Sequence, residues 1–564
     1  MRLHRLLIPV LVFVVMVVLF TFFASKKQED KGKNVRNFFI RLYYEGCRGN
    51  FLIYADALMQ RNFFKRGEIA TLEFDVSNPS KDDWKVVFYL APFDKPSIRF
   101  KVGEGLAKAE RATRINLEVD TSSLEPALYL IVAEIEGQGE FTANTEPFRR
   151  TNLETYPWLL AILDEKVAWS SPKDGLPELR VPEGLGVNIH FIKPSYLEER
   201  DLDMIAYAGF QLVRMDFFWS NVEQEKGFYS FNGYDELTKA LRERGLRPLY
   251  ILDYGNPLYG GGQPPRTDEE RLAFSNFARA AASRYGDYPL WEIWNEPNIE
   301  VFWKPQPSVA DYTALAIRTA KAIKEACHRC VILAPATSGV DIEFISAASS
   351  MGLLDYIDVV SVHPYRSSAP ETALVDYDRL RSVVKGKTIV CSEWGYTTGG
   401  TYANRVDLVK QAQYVVRKYI VNLLARVPIT IIYDWKDDGL SPRESEHNFG
   451  LVSHHWRGWE LFFIKPSYFA IYNFNLRLAG YAPTKFLSLG HQVYALWFEK
   501  DDSRKLVVWR AGSTSDDSIE LELELDAREV ELIHLFGFRE NVKLQGGFLK
   551  IDVTESPLIV VPRP

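Results

Sequence analysis

Cysteine is scarce in this chain of 564 residues, with only Cys47, Cys327, Cys330 and Cys391. Cys327-His328-Arg329-Cys330 has redox-motif spacing, but it ends a helical pattern and enters an apolar strand, whereas a thioredoxin-type pair follows a strand and opens a helix. It therefore reads as a local disulfide or as two inert thiols, and Cys391, inside an apolar strand, as a small core residue. Excess positive charge is also missing. A formal net charge of -7 leaves no basic stripe and excludes nucleic acid as the main partner. Gly260-Gly261-Gly262 has neither the spacing nor the following helix start of a dinucleotide fingerprint. No HExxH or comparable spacing points to a metal, so the expected chemistry uses neither metal nor cofactor. Repeats and low-complexity tracts are absent.

Hydrophobic residues at 47% and charged residues at 25% describe an ordinary globular protein, and the length calls for several domains, one of them large. Aromatics stand out at 13%. Sugar-binding proteins use such residues because sugar rings stack their C–H faces on aromatic planes. One uncharged run, Leu6 to Phe23, is just long enough to cross a bilayer as a helix. Phe22 and Phe23 stand where a signal peptidase needs small residues, so the run reads as an uncleaved signal-anchor. Lys26, Lys27, Lys31, Lys33 and Arg36 follow it, which by the positive-inside rule favours a cytoplasmic body. Long domains translocate largely regardless of charge, so the expectation is a body tethered on the extracytoplasmic side, with the cytoplasmic membrane as partner.

Residues 1–34 are then the anchor and juxtamembrane segment. Short apolar runs broken by turn signals over 35–150 predict a β-sandwich, and 151–184 predicts a linker. From 185 to 480, eight apolar strands alternate with amphipathic helical patterns, the size and period of a (β/α)8 barrel. Short strands return over 481–564 and predict a second β-sandwich.

In such a barrel the chemistry sits at the C-terminal ends of the strands. The fourth strand runs through "WEIWNEPNIEVFW". Pro297 biases its predecessor toward an extended conformation, so the strand is expected to end at Glu296 and to present that carboxylate at its tip. Glu292 shares the face of Glu296 but lies about 6.5 Å deeper, which suits a buried structural partner. The seventh strand ends in Ser392-Glu393-Trp394, across the mouth from the fourth. The other ends supply His190, Arg214, Trp219, Asp253, His363, Tyr365 and Trp435, with Asn295 beside Glu296. Trp219, Tyr254, Trp303, Trp394 and Trp435 are candidate sugar platforms, and Asp216, Asp253 and Asp434 candidate hydrogen-bonding groups of the cleft. Two facing carboxylates are what glycosidic cleavage needs: one protonates the departing oxygen while the other attacks or activates water.

With these residues the sequence resembles retaining glycoside hydrolases of clan A, and most closely family 39. The matching stretches are "WEIWNEPNIEVFW", "VVSVHPYR", "IVCSEWGY", "YDWKDDG" followed by "EHNFGLV" and "KPSYFA", and "GFQLVRMDFFWSNVEQEKGFYSF". The resemblance implies Glu296 as acid/base, Glu393 as nucleophile, Asn295 bonded to the sugar's 2-hydroxyl, and Arg214 and Tyr365 holding Glu393 ionised. Family 5, a relative, usually has a His at the end of strand three, where Asp253-Tyr254 stands here. The expected function is a membrane-tethered retaining hydrolase of a poly- or oligosaccharide. A transglycosylase and a non-catalytic glycan-binding component of an export assembly are the alternatives.

Overall fold

A computed structural model describes residues 55–564 apart from 58–60, 79, 137–138, 143–158, 170–173, 191–198, 456–461, 513–517 and 564. The expected anchor, Leu6 to Phe23, lies outside the described residues. Among the described residues no helix is long and apolar enough to cross a membrane.

Eight parallel strands close into a barrel: Leu185–Asn188, Leu212–Phe218, Arg247–Asp253, Leu290–Ile293, Val331–Ser338, Val359–His363, Thr388–Trp394 and Thr430–Ile432. The first pairs with the eighth through Leu185 to Thr430 and Val187 to Ile432. These strands are buried on both faces, which is why they read as apolar runs rather than as alternation. The helices between them begin where the sequence offers caps. Thr267 and Glu270 form a reciprocal capping box at the start of Asp268–Tyr285, and Ser308, Asp341 and Asp407 cap three further helices. The lower half of the barrel is filled by Leu212, Leu249, Leu290, Val331, Leu333, Val359, Val390, Ile429 and Ile431. Two residues further along the same faces the interior changes character: Leu212 gives way to Arg214 and Leu290 to Glu292. Alternation thus builds an apolar floor beneath a charged mouth.

On the N-terminal side, a three-stranded sheet containing Ile69–Asn78 and Arg111–Asp120 faces a larger sheet built around Trp84–Pro92 and Leu128–Ile135. Phe74 and Phe88 stack between them with ring centroids 4.3 Å apart. The expected linker is corrected here. Its stretch Leu159–Leu163 is a fully buried strand of the larger sheet, parallel to Phe63–Lys65 and antiparallel to Leu128–Ile135. Five consecutive apolar residues cannot be left on a solvated connection and are covered on both faces.

On the C-terminal side, a six-stranded sheet from Ala482–Ser488 to Arg539–Lys543 packs on a two-stranded one, Ile519–Glu524 with Phe548–Val553. Leu506, Val508, Val530 and Val560 meet Leu523, Leu549 and Ile551 in their common core. Both flanking regions are tied down by buried polar contacts. Asn62 exchanges two hydrogen bonds with the backbone of Ile464, at 2.9 and 2.8 Å. The Asp94 carboxylate accepts from the N–H groups of Phe536 and Phe538, and Trp509 donates its indole N–H to Glu371 at 2.8 Å.

Candidate active site

The two conspicuous glutamates reach the barrel mouth by breaking strand regularity. Strand four stops at Ile293, three residues before the end expected from Pro297. Trp294 and Glu296 adopt φ of 68° and 45°, so Glu296 sits in a left-handed turn rather than an extended tip, its N–H bonded to the carbonyl of Ala336. Such a conformation is rare for residues with a side chain and persists where the surroundings impose it. In strand seven, Val390 faces the core, and simple alternation would turn Glu393 outward. The register against strand eight shifts between Cys391 and Trp394, and Glu393 lines the cleft. Bulges re-aim side chains in this way.

Arg214 is the hub. It is fully buried, and its Nε donates to Glu292 Oε2 at 2.8 Å, one terminal nitrogen to Glu393 Oε2 at 2.5 Å and to Asn188 Oδ1 at 3.2 Å, and the other to Asn295 Oδ1 at 2.7 Å. Glu292 is thereby a buried partner of the arginine. The Tyr365 hydroxyl donates to the other oxygen of Glu393 at 2.8 Å. Burial pushes the Glu393 carboxyl up, but His363, Arg214 and the Tyr365 hydroxyl outweigh it and hold it below the usual carboxylate range. Burial and the neighbouring Glu393 keep the Tyr365 phenol protonated, with its pKa well above the ordinary value.

Glu296 is held differently: among the described residues its side-chain partner is His363, Nδ1 to Oε1 at 2.9 Å. The second ring nitrogen of His363 lies 3.3 Å from Arg214, which can only donate. The ring thus bridges Arg214 and Glu296, with Nδ1 facing the Glu296 carboxylate. An oxygen of Glu296, an oxygen of Glu393 and a nitrogen of His363 all lie within 4.8 Å of one another.

The cleft around them encloses about 720 Å³. Of the expected site residues, His190, Arg214, Asn295, Glu296, Tyr365 and Glu393 line it, and His363 lies directly beneath. Five others need correction. Trp219 is buried, donates to Glu223 and stacks on Tyr259; Trp303 is buried between Trp294 and Tyr312; Trp435 is buried with its N–H on Asp201. None offers a face to a sugar. Trp394 is likewise covered, by the Lys418 ammonium. Asp253 is wholly buried below the cleft, where burial and then its neighbour Asp216 raise its carboxyl well above the usual range. The indoles, the largest side chains available, fill the space behind the strand ends, while Asp253 still belongs to its strand.

Of the expected platforms Tyr254 lines the cleft, joined by Phe302, Tyr402 and Tyr433, and the expected Asp216 is a cleft carboxylate together with Glu446. Tyr433 was legible by alternation, since it follows Ile429 and Ile431 on the inner face. Tyr402 lies in a loop and Glu446 in the single 3-10 turn Ser445–Asn448, and no periodicity marks either. On the same wall Asp434 is buried, with one oxygen 3.8 Å from His190 Nε2 and the other accepting no hydrogen bond among the described residues. Among the described residues, two groups of His and carboxylate atoms come within 4.8 Å of one another: Glu296, His363 and Glu393, and His190, Asp434 and Asp438. In the first, Arg214 already supplies the positive charge.

Breaking a glycosidic bond calls for two carboxylates within reach of one sugar, and the barrel mouth brings Glu296 and Glu393 together. The chain is a glycosidase, and its paired glutamates at the barrel mouth resemble the clan A arrangement. A model described as cellulase, glycosyl hydrolase family 5, matches residues 180–428. In structure the chain is similar to a family 39 glycoside hydrolase from the gut symbiont Bacteroides cellulosilyticus WH2, at 21% identity and a TM-score of 0.65 over 90% of this chain and 100% of that one. It is also similar to a family 39 enzyme from Xanthomonas axonopodis pv. citri, at 17% identity and a TM-score of 0.51 over 69% of this chain and 96% of that one. A family 39 β-xylosidase from Caulobacter crescentus matches at 18% identity and a TM-score of 0.50, over 70% and 99% of the two chains. The likeness to clan A, and within it to family 39, thus extends from sequence motifs to the fold.

Proposed function

We propose that the protein is a retaining glycoside hydrolase of a poly- or oligosaccharide, working by double displacement through a glycosyl–Glu393 intermediate. One observation carries this reading: oxygens of Glu296 and Glu393 lie within 4.8 Å, and it is Glu393 that Arg214 and Tyr365 hold. Retaining enzymes keep the two carboxyls about 5 to 5.5 Å apart, whereas inverting ones need roughly 6.5 to 9.5 Å to admit a water. Glu393, clamped by Arg214 and Tyr365, is the group held ionised and so the nucleophile. Glu296 is the acid/base. His363 donates to one of its oxygens and leaves the other to carry the proton toward the departing oxygen. Asn295, anchored on Arg214, is placed to bond the sugar beside the reacting carbon. The body is held outside the cytoplasmic membrane by Leu6 to Phe23. The disulfide between Cys327 and Cys330 supports that placement, since such bonds persist in oxidising compartments.

The test separates the two glutamates. Glu393→Gln abolishes turnover of every substrate, because no covalent intermediate forms. Glu296→Ala still releases the phenol of an activated aryl glycoside, then stalls as a glycosyl-enzyme, and azide rescues it as a glycosyl azide of retained configuration. Aryl xylosides are suitable first probes, given the β-xylosidase among the similar structures. An inverted azide product, or full activity in Glu393→Gln, overturns the assignment.

A further inference from the structure

The loops after barrel strands seven and eight are joined into one wall of the cleft. Ser445 Oγ accepts the N–H groups of Thr401 and Tyr402, at 2.9 and 3.1 Å. Thr398 N–H donates to Asn448 O and Gly400 N–H to Pro442 O, while Thr397 Oγ1 donates to Ser445 O at 2.7 Å. Gly400, at φ 71°, touches Ser445 so closely that a Cβ would lie 2.1 Å from its hydroxyl oxygen, so only glycine allows this approach. These bonds hold the backbone of Tyr402, yet its side chain is left out: Tyr402 is 50% exposed and lines the cleft.

An exposed aromatic ring on a pinned backbone is a ready-made stacking surface, because little conformational freedom is lost when a ligand covers it. Its neighbour is polar in a specific way. The Glu446 carboxylate accepts from the Tyr433 hydroxyl at 3.1 Å and lies against the Tyr402 phenol, whose pKa it raises. A carboxylate has more acceptor positions than one phenol fills. The wall connects to the reacting centre through rings. Phe449 lies 6.4 Å from Tyr365, which holds Glu393, and 6.5 Å from Tyr402. Across the cleft, Tyr254 and Phe302 stack in parallel, 5.7 Å apart, and line the opposite side. The catalytic glutamates thus stand between two aromatic walls, a layout that a pocket for one terminal sugar does not require.

Resting on the glycosidase reading, we propose that this wall is a distal sugar subsite, with Tyr402 as the platform and Glu446 as the hydroxyl acceptor, so that the cleft binds an uncharged sugar unit beyond the one attached to Glu393. The substrate class is then a neutral oligo- or polysaccharide gripped over several consecutive units and open to internal cleavage. A uronate at this position would face the Glu446 carboxylate and be repelled.

The experiment measures binding apart from turnover. In the inert Glu393→Gln background, xylose- and glucose-based oligosaccharides of one to four units are titrated by calorimetry. Tyr402→Ala weakens the three- and four-unit ligands roughly fivefold to tenfold and leaves the single sugar unchanged, while Tyr402→Phe, which keeps the ring, binds as the parent does. Equal weakening at every length, no weakening at any length, or failure of every oligosaccharide to bind overturns the subsite. Hydrolysis of aryl glycosides by the chain with Glu393 intact reports separately on the glycosidase reading, so turnover without the length effect sinks the subsite alone. The exposed position of Tyr402 keeps the variant's core intact.

Discussion

Arg214 donates to Glu393 over 2.5 Å while its opposite edge grips the wholly buried Glu292 over 2.8 Å, so one guanidinium is held from below and holds the nucleophile above. The planar fork cannot be copied by a single ammonium. Arg214→Lys is expected to lower kcat/KM by about a hundredfold to a thousandfold, the equivalent of losing about 3 to 4 kcal/mol of charged hydrogen bonding, with Glu292 left short of a partner. Steady-state kinetics on an aryl glycoside measure the loss, and circular dichroism checks that the barrel is still folded. A change of less than tenfold would remove Arg214 from the mechanism.

Glu393 must be ionised to attack, and its carboxyl is held below the usual range. Activity should therefore persist to a pH below that of an ordinary glutamate and fall only as Glu393 takes up its proton. Tyr365→Phe removes one hydrogen bond to the charged form, which raises the Glu393 pKa and moves the acid limb of kcat/KM upward by about one pH unit. An unchanged acid limb would show that Tyr365 does not stabilise the carboxylate.

Tyr433 and Trp435 are two residues apart, yet only Tyr433 lines the cleft. Tyr433→Ala is expected to raise KM with little effect on melting temperature. Trp435→Ala should cost about 3 to 5 kcal/mol of stability, with kinetics of the remaining folded protein near those of the parent. The reverse pattern would mean that the indole, not the phenol, meets the sugar.

Asp94 offers a stability test with a definite sign. Its burial raises the carboxyl from 3.8 to about 6, against the opposing pull of His534, the two N–H groups of Phe536 and Phe538, and Lys95. A raised acid binds its proton more tightly in the folded than in the unfolded state between these two values, so its contribution to stability is present at low pH and falls as pH rises from about 4 to about 6. Relative to Asp94→Asn, the protein should lose about 3 kcal/mol across that window and change little above it. Denaturant midpoints taken at half-unit pH steps would reveal a flat difference if the carboxylate is in fact well solvated.

The anchor is tested by fractionation. Full-length protein should remain with membranes after alkaline carbonate washing, and a version beginning near Asn34 should be released. Mature protein starting near Ser25 would identify a cleaved signal instead.

The barrel, its eight strands and the residues Glu296, Glu393, Arg214 and Tyr365 were legible in the sequence, because strand ends in a parallel barrel converge on one mouth and the periodicity of strands and helices survives in the apolar pattern. Even the division between floor and mouth follows from alternation along Leu212 to Arg214 and Leu290 to Glu292. What alternation could not supply is where regularity breaks. The left-handed turn at Glu296 and the register shift before Trp394 arise from the surroundings of those residues, and at Glu393 the shift overrides strand parity to aim the carboxylate. Nor does residue type separate a stacking surface from packing. Trp219, Trp303 and Trp435 were absorbed by the space behind the strand ends, while Tyr402, in a loop without periodicity, was left facing the cleft by hydrogen bonds to a segment more than forty residues away. Local sequence determined which elements form and which side chains they carry to the mouth; close packing between distant segments decided which of those side chains remain open to a sugar.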